Sequence, residues 1–207
     1  MSSEVTRAVR LQDGWLVQVD LPNTHPVSQK GRFLFEALPS PNFNERPAGV
    51  EVDSVVVHCI SLPERNHDAT YPVDLFLNRL NTEAHPEFAE LQGLEVSSHF
   101  IIDRQGKVLQ FVSCDKRAWH AGVSAAMGRE NFNHFSIGIE LIGDIYSTFE
   151  PAQYTSLGEL LALLRGTYAL KFIFAHSEIA PARKTDPGPF FLWESFRKPN
   201  SYAIQLA

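Results

Sequence analysis

The run Ser54-Val55-Val56-Val57-His58-Cys59 constrains the fold more than any other stretch. It is β-branched and almost continuously apolar. A strand with one wet face alternates, so a run without alternation belongs to a central strand buried on both faces. Such a strand needs a sheet around it and helices over it. The helices can be read from periodicity. Pro151 opens a segment over 151–168 in which Tyr154, Leu157, Leu161, Leu164 and Tyr168 recur at helical spacing. A shorter one over 72–80 starts with Pro72 and carries Val73, Phe76, Leu77 and Leu80 on one side.

Further strands are expected at 97–102 and 108–113, separated by Asp103-Arg104-Gln105-Gly106-Lys107, a hairpin signal with Gly106 free to take positive φ. Residues 135–142 alternate, with Ile137, Ile139 and Leu141 on one face and Gly138 and Glu140 on the other. Residues 170–175 form an apolar strand. A hairpin, strands and crossover helices in this order imply an α/β (α+β) fold, a single domain with a mixed central β-sheet flanked by helices. The 207 residues suffice for one core and are too few for two enzyme domains.

Residues 1–49 read differently. They offer one short strand at 14–20 and an extended stretch at 38–49 with Pro39, Pro41, Pro47 and Gly49. We read them as an N-terminal arm packed on the main domain, 50–198, with 199–207 as a C-terminal tail. Residues 115–135 show little periodicity and read as a long functional loop.

The net charge of −6 argues against nucleic acid and against anionic membrane surfaces as partners. No apolar stretch of about 18 residues is present, so no transmembrane helix is expected. Met1 to Arg7 leads into no apolar signal core, and the chain has two cysteines, Cys59 and Cys114. Both points suggest reduced thiols and a cytoplasmic location, although a disulfide stays open on the sequence.

The chemistry concentrates in 175–189, a Pro/Gly-rich loop that begins where the strand at 170–175 ends. Asp186 precedes Pro187, which drives it towards extended geometry, so Lys184 and Asp186 point the same way. His58 and His176 both end buried strands. Together with Asp186 they make two imidazoles and a carboxylate, the ligand set of a catalytic zinc that keeps a fourth position for water. Taken singly, His58 reads more readily as a packed, hydrogen-bonded histidine, and the Lys184–Asp186 pair reads equally as a surface ion pair. Glu140 interrupts an apolar strand and must face water, a cation or a reacting group, because an unpartnered buried carboxylate is costly. Beside a metal it becomes a general acid/base. Trp119-His120-Ala121-Gly122 suits a groove for sugar or peptide, the alternative being a core tryptophan. His25, His67, His85, His99 and His134 read as surface or structural, and Cys59 as packing on the face opposite His58.

Five segments carry a resemblance: Val55–Pro63, Ala84–Ala89, Asp115–Ser124, Phe135–Leu141 and Ile179–Pro189. Together with Asp13-Gly14-Trp15-Leu16 and Pro39-Ser40-Pro41, they resemble the AmpD-type N-acetylmuramoyl-L-alanine amidases over about residues 13 to 197. These are zinc enzymes related to the peptidoglycan recognition proteins. The resemblance implies a zinc ion on His58, His176 and Asp186, a catalytic Glu140 and Lys184, and cytoplasmic recycling of the cell wall. It implies cleavage of the amide between the lactyl group of 1,6-anhydro-N-acetylmuramic acid and L-alanine, with the anhydro-muropeptide as small-molecule substrate and no obligate protein partner. The alternative on the same fold is a non-catalytic muropeptide-binding module. Such binders commonly lack one metal ligand, whereas all three positions are filled here. An exported wall-degrading amidase is a third reading. Three departures from the family pattern stand out: Glu87 in place of a tyrosine, Cys59 in place of an asparagine, and Glu95 where a basic residue is expected.

Overall fold

The structure, a computed structural model, describes residues 6–21 and 33–205. In chain order the strands are β1 (Thr6–Gln12), β2 (Trp15–Leu21), β3 (Phe35–Ala37), β4 (Phe43–Asn44), β5 (Ser54–Ile60), β6 (Phe100–Ile102), β7 (Val108–Gln110), β8 (Arg117–Ala118), β9 (Ala125–Ala126), β10 (Arg129–Glu130), β11 (Ser136–Ile142) and β12 (Phe172–Ala175). The helices are α1 (Thr70–Phe76), α2 (Pro151–Arg165) and α3 (His176–Ile179), with 3₁₀ segments at Pro86–Leu91, Phe132–His134 and Trp193–Ser195.

The main sheet runs in the order β12-β5-β11-β6-β7-β3. β12, β5, β11 and β6 are mutually parallel, and β7 turns back antiparallel to β6, so the sheet is mixed as expected. β5 lies between β12 and β11, which explains its unbroken apolar run. One face carries Val55, Val57, Ile137, Ile139 and Leu141 and packs under Leu157, Leu160, Leu161 and Leu164 of α2. On the other face Ile101, Leu109 and Ile142 meet Leu75 and Phe76 of α1. Val56 and Phe174 pack there against Phe132, Phe135 and Ile179. Both faces are dry over most of their area, which at roughly 25 cal/mol per Å² of apolar surface is the main source of stability.

Local rules set the element ends. α2 opens with Pro151 in its first turn and a reciprocal cap between Glu150 and Gln153. The Gln153 amide then donates to the carbonyls of Ile102 and Ile142 at 3.1 and 3.0 Å, tying the helix to two strand ends. At the β6–β7 hairpin, Gly106 has φ +83°, and a Cβ there would lie 2.8 Å from the Ala152 carbonyl oxygen of α2. Only glycine lets that turn approach the helix so closely.

Several boundaries differ from the sequence reading. The helix expected at 72–80 is displaced to 70–76, because Asn78 adopts φ 56° and exchanges side-chain hydrogen bonds with Asn42 at 2.7 and 2.9 Å. α2 stops at Arg165, and Tyr168 lies beyond it, donating its hydroxyl to Asp115 at 2.6 Å. The loop expected at 115–135 is not structureless. It holds β8, the small β9–β10 hairpin and a 3₁₀ turn, and Met127 and Gly128 at positive φ close that hairpin.

The early segment is a hairpin rather than one strand. β1 pairs antiparallel with β2 across the two-residue turn Asp13-Gly14. Leu16 enters the α2-side core, and the Leu16 amide donates to Gln110 Oε1 at 2.8 Å. β3 joins the main sheet as an edge and β4 pairs with β8, so residues before 49 contribute strands to the body.

Candidate metal centre

Parallel pairing builds the site. Strands β5, β11 and β12 run the same way, so their C-terminal ends share one edge of the sheet. Register places Glu140 opposite His58 and Ala175 opposite Val57. His176, the residue after β12, therefore emerges beside His58. Asp186 reaches the same point from the following loop, whose backbone is tied down by Ser177 N donating to the Asp186 carbonyl at 3.0 Å.

The Nδ1 atoms of His58 and His176 are 2.9 Å apart. Asp186 Oδ2 lies 3.2 Å from the first and 3.1 Å from the second. Donors at zinc distances of roughly 2.0–2.1 Å in a tetrahedron lie about 3.3 Å from one another, so this spacing and this nitrogen/oxygen set fit zinc. The three side chains are a group that could hold a metal ion. Burial, helped by the neighbouring His176, lowers His58 to about 4, so its ring is neutral at ordinary pH and ready to ligate. Burial pushes the Asp186 carboxyl up, but its close contacts with the His176 and His58 rings outweigh it and hold the group well below the usual carboxylate range.

Glu140 is only 8% exposed. Its Oε1 lies 3.9 Å from His58 Nδ1, and among the described residues its Oε2 has no hydrogen-bond partner. Burial and the nearby Asp186 charge raise its pKa well above the ordinary value, with Lys184 opposing. The centre opens into a cavity of ≈ 240 Å³ with one apolar wall that includes Leu62, Leu75, Leu91 and Val96. Lys184, Trp119 and His120 also line it. Lys184 and Asp186 thus face one space, as alternation along the loop implied.

Residues 48–189 match the N-acetylmuramoyl-L-alanine amidase family. The chain belongs to that family. It is 41% identical over 189 residues to the 1,6-anhydro-N-acetylmuramyl-L-alanine amidase AmpD of Escherichia coli, covering 90% of this chain and 94% of the relative. It is 42% identical over 162 residues to the AmpD of Haemophilus influenzae, covering 77% of this chain and 88% of that one. Among solved structures, a crystal structure of a selenomethionine AmpD derivative superposes with a TM-score of 0.76 at 39% identity, covering 89% of this chain and 95% of the other.

The amidase places the Trp119–Gly122 segment in two roles. The Trp119 ring is half-buried at the cavity, its Nε1 donating to Asn44 Oδ1 at 3.3 Å. His120 stands behind His58, with its Nδ1 3.0 Å from His58 Nε2. Ala121 and Gly122 do not line the cavity. Ala121 is fully buried, and its carbonyl lies 3.2 Å from His176 Nε2 and also accepts from the Arg183 guanidinium. Gly122 is exposed against the Arg183 side chain.

The departures find places too. Glu87 accepts from Glu64 N at 2.8 Å, bracing the loop that carries Leu62. Cys59 packs on the α2-side core, as alternation required, and burial raises its thiol pKa. Glu95 lines a groove that shares Leu75, Leu91 and Leu94 with the main cavity. His99 is structural, accepting from Gly138 N at 3.0 Å, and His67 pairs with Asp144 at 2.8 Å. His25 lies outside the described residues.

Sequence reasoning missed Arg46, Asn133 and Ser136. The Arg46 guanidinium is half-buried beside His99 and donates to the carbonyls of Cys114, Asn133, His134 and Ser136. Burial brings its pKa down to about 10. A lone arginine before a proline in an extended segment carries no periodic signal that could have revealed this.

Proposed function

We propose that this amidase hydrolyses the amide between the lactyl group of 1,6-anhydro-N-acetylmuramic acid and L-alanine of muropeptides, in cytoplasmic cell-wall recycling. His58, His176 and Asp186 would hold zinc. When bound there, zinc supplies Lewis acidity and a water of lowered pKa. Glu140, whose buried Oε2 lacks a partner in the described structure, takes the proton of the attacking water and delivers it to the leaving alanine nitrogen. Lys184 stabilises the oxyanion that develops on the amide oxygen. The Trp119 ring offers a stacking face to the sugar or the peptide, and the apolar wall excludes water from the lactyl side. The names of the similar enzymes support this substrate, and the unpaired Cys59 and Cys114 suit a reducing compartment.

The convergence of three donor atoms within 3.2 Å of each other, next to a buried carboxylate whose Oε2 has no hydrogen-bond partner among the described residues, is the observation that carries this reading. A non-catalytic binding module is not favoured, since no donor is missing and, among the described residues, Glu140 Oε2 has no hydrogen-bond partner. The test is chromatographic analysis of anhydro-muropeptide incubated with the zinc-loaded protein, with and without a chelator. Release of free stem peptide that stops on chelation and returns with zinc is expected. Intact muropeptide in the presence of bound zinc would overturn the proposal.

A further inference from the structure

We propose that His120 and Ala121 are positioning residues for the metal centre: a one-directional hydrogen-bond chain through His120, and the Ala121 carbonyl, hold both metal-facing histidines in the tautomer that leaves Nδ1 bare. This rests on the zinc reading above and assigns a role to residues that touch neither metal nor substrate amide.

The direction of the chain follows from its far end. Ser136 Oγ lies 2.5 Å from the Phe132 carbonyl oxygen, which can only accept. The single hydroxyl hydrogen is therefore spent there, and Ser136 Oγ must accept from His120 Nε2, 3.3 Å away. A neutral imidazole carries one N–H, so His120 Nδ1 is bare and accepts from His58 Nε2–H at 3.0 Å. By the same rule His58 Nδ1 is bare, and it is the atom that faces His176 and Asp186. His176 reaches the same state independently. Its Nε2 lies 3.2 Å from the Ala121 carbonyl, a pure acceptor, so Nε2 carries the hydrogen and Nδ1 is free.

The support behind these two contacts is built in. Asn133 Oδ1 accepts from the backbone N–H groups of both His120 and Ala121, at 3.1 and 2.8 Å. Gly138 makes room for the His120 ring, since a Cβ there would lie 2.4 Å from His120 Cγ. Ser136, Gly138 and Glu140 alternate along one face of β11. One residue closes the hydrogen-bond chain, the next leaves space for its middle member, and the third faces the reaction.

The usual outer partner of a metal-binding histidine is a carboxylate or a carbonyl, and its removal typically weakens metal binding about 10–100-fold. Here His176 has the carbonyl and His58 has a neutral histidine. The experiment measures zinc affinity by competition with a chromophoric chelator for the wild type, His120→Leu and His120→Asn. Asparagine keeps an acceptor atom near the position of Nδ1, whereas leucine fills the space without one. We expect His120→Leu to lose about 10–100-fold in zinc affinity and His120→Asn to recover most of it. Long-range ¹H–¹⁵N spectra of the zinc-free wild type at neutral pH should show the hydrogen on Nε2 of His58 and of His176, a readout that needs no variant to fold. Equal affinity of a folded His120→Leu protein and the wild type, equal losses in both variants, or a hydrogen on His58 Nδ1 would overturn the proposal. A wild type that takes up no zinc would instead sink the functional reading on which it rests.

Discussion

The two faces of β11 are built on opposite logics. Ile137, Ile139 and Leu141 lie under α2 in a cluster of some twenty buried apolar side chains, where each residue shares its load with many others. Ser136, Gly138 and Glu140, one residue out of step, each have a separate task with no substitute: an acceptor for His120, a space for its ring, and a carboxylate at the cavity. A single strand thus separates stability from chemistry by the period-2 alternation of its side chains. Damage to the first face should lower stability and spare the site. Damage on the metal side should do the reverse.

The largest effect is expected at the centre itself. Asp186→Ala should lose bound zinc and reduce turnover to background while the chain stays folded, as metal analysis beside circular dichroism would show; retained zinc would blur the division between the faces. Glu140→Gln should lower kcat by about 10²–10⁴ with zinc content unchanged. Its thermal midpoint should hold steady or rise, because the change removes a buried carboxylate whose Oε2 is unpartnered in the described structure. On the α2 side, Ile139→Ala should cost about 2–5 kcal/mol in urea unfolding and leave zinc affinity and KM alone. A shift in KM there would show that the two faces are coupled.

The smallest effect concerns acid, and it sharpens the comparison because the buried histidines belong to the metal side. His99 is lowered to about 3, first by burial and then by the Arg46 charge. The unfolded chain takes up a proton at this residue below about 6.5, and the folded chain does so only near 3. Stability from this source is therefore intact above about pH 6.5 and is lost as pH falls through that window. His99→Gln should make the pH dependence of unfolding shallower by about one proton in this range, read from urea midpoints at successive pH values.

Much of the fold was legible because its signals are local. The non-alternating run of β5 announced a strand buried on both sides, the alternation of β11 placed Glu140 opposite Ile139, and Pro151 marked the start of α2. Asp13-Gly14 was an equally local hairpin signal, and with it β1 could have been read. What misled were element ends: Asn78 stops α1 early through a hydrogen-bonded pairing with Asn42, thirty-six positions away in the chain. That His58, His176 and Asp186 form a candidate centre was also legible, since histidines at strand ends and a pre-proline aspartate are unusual placements. The parts played by His120, Asn133 and Arg46 were not, because each depends on which atom its side chain meets across the fold.

The sequence by itself determined the residue types, the periodicities and the family likeness, all of which depend on neighbours a few positions apart. The tertiary structure alone decided that His58 meets His176 across a sequence separation of 118, with a histidine behind one and a carbonyl behind the other. Such contacts are set by parallel strand register, and register is a long-range property: it comes from burying several segments at once in one sheet, which no single stretch encodes.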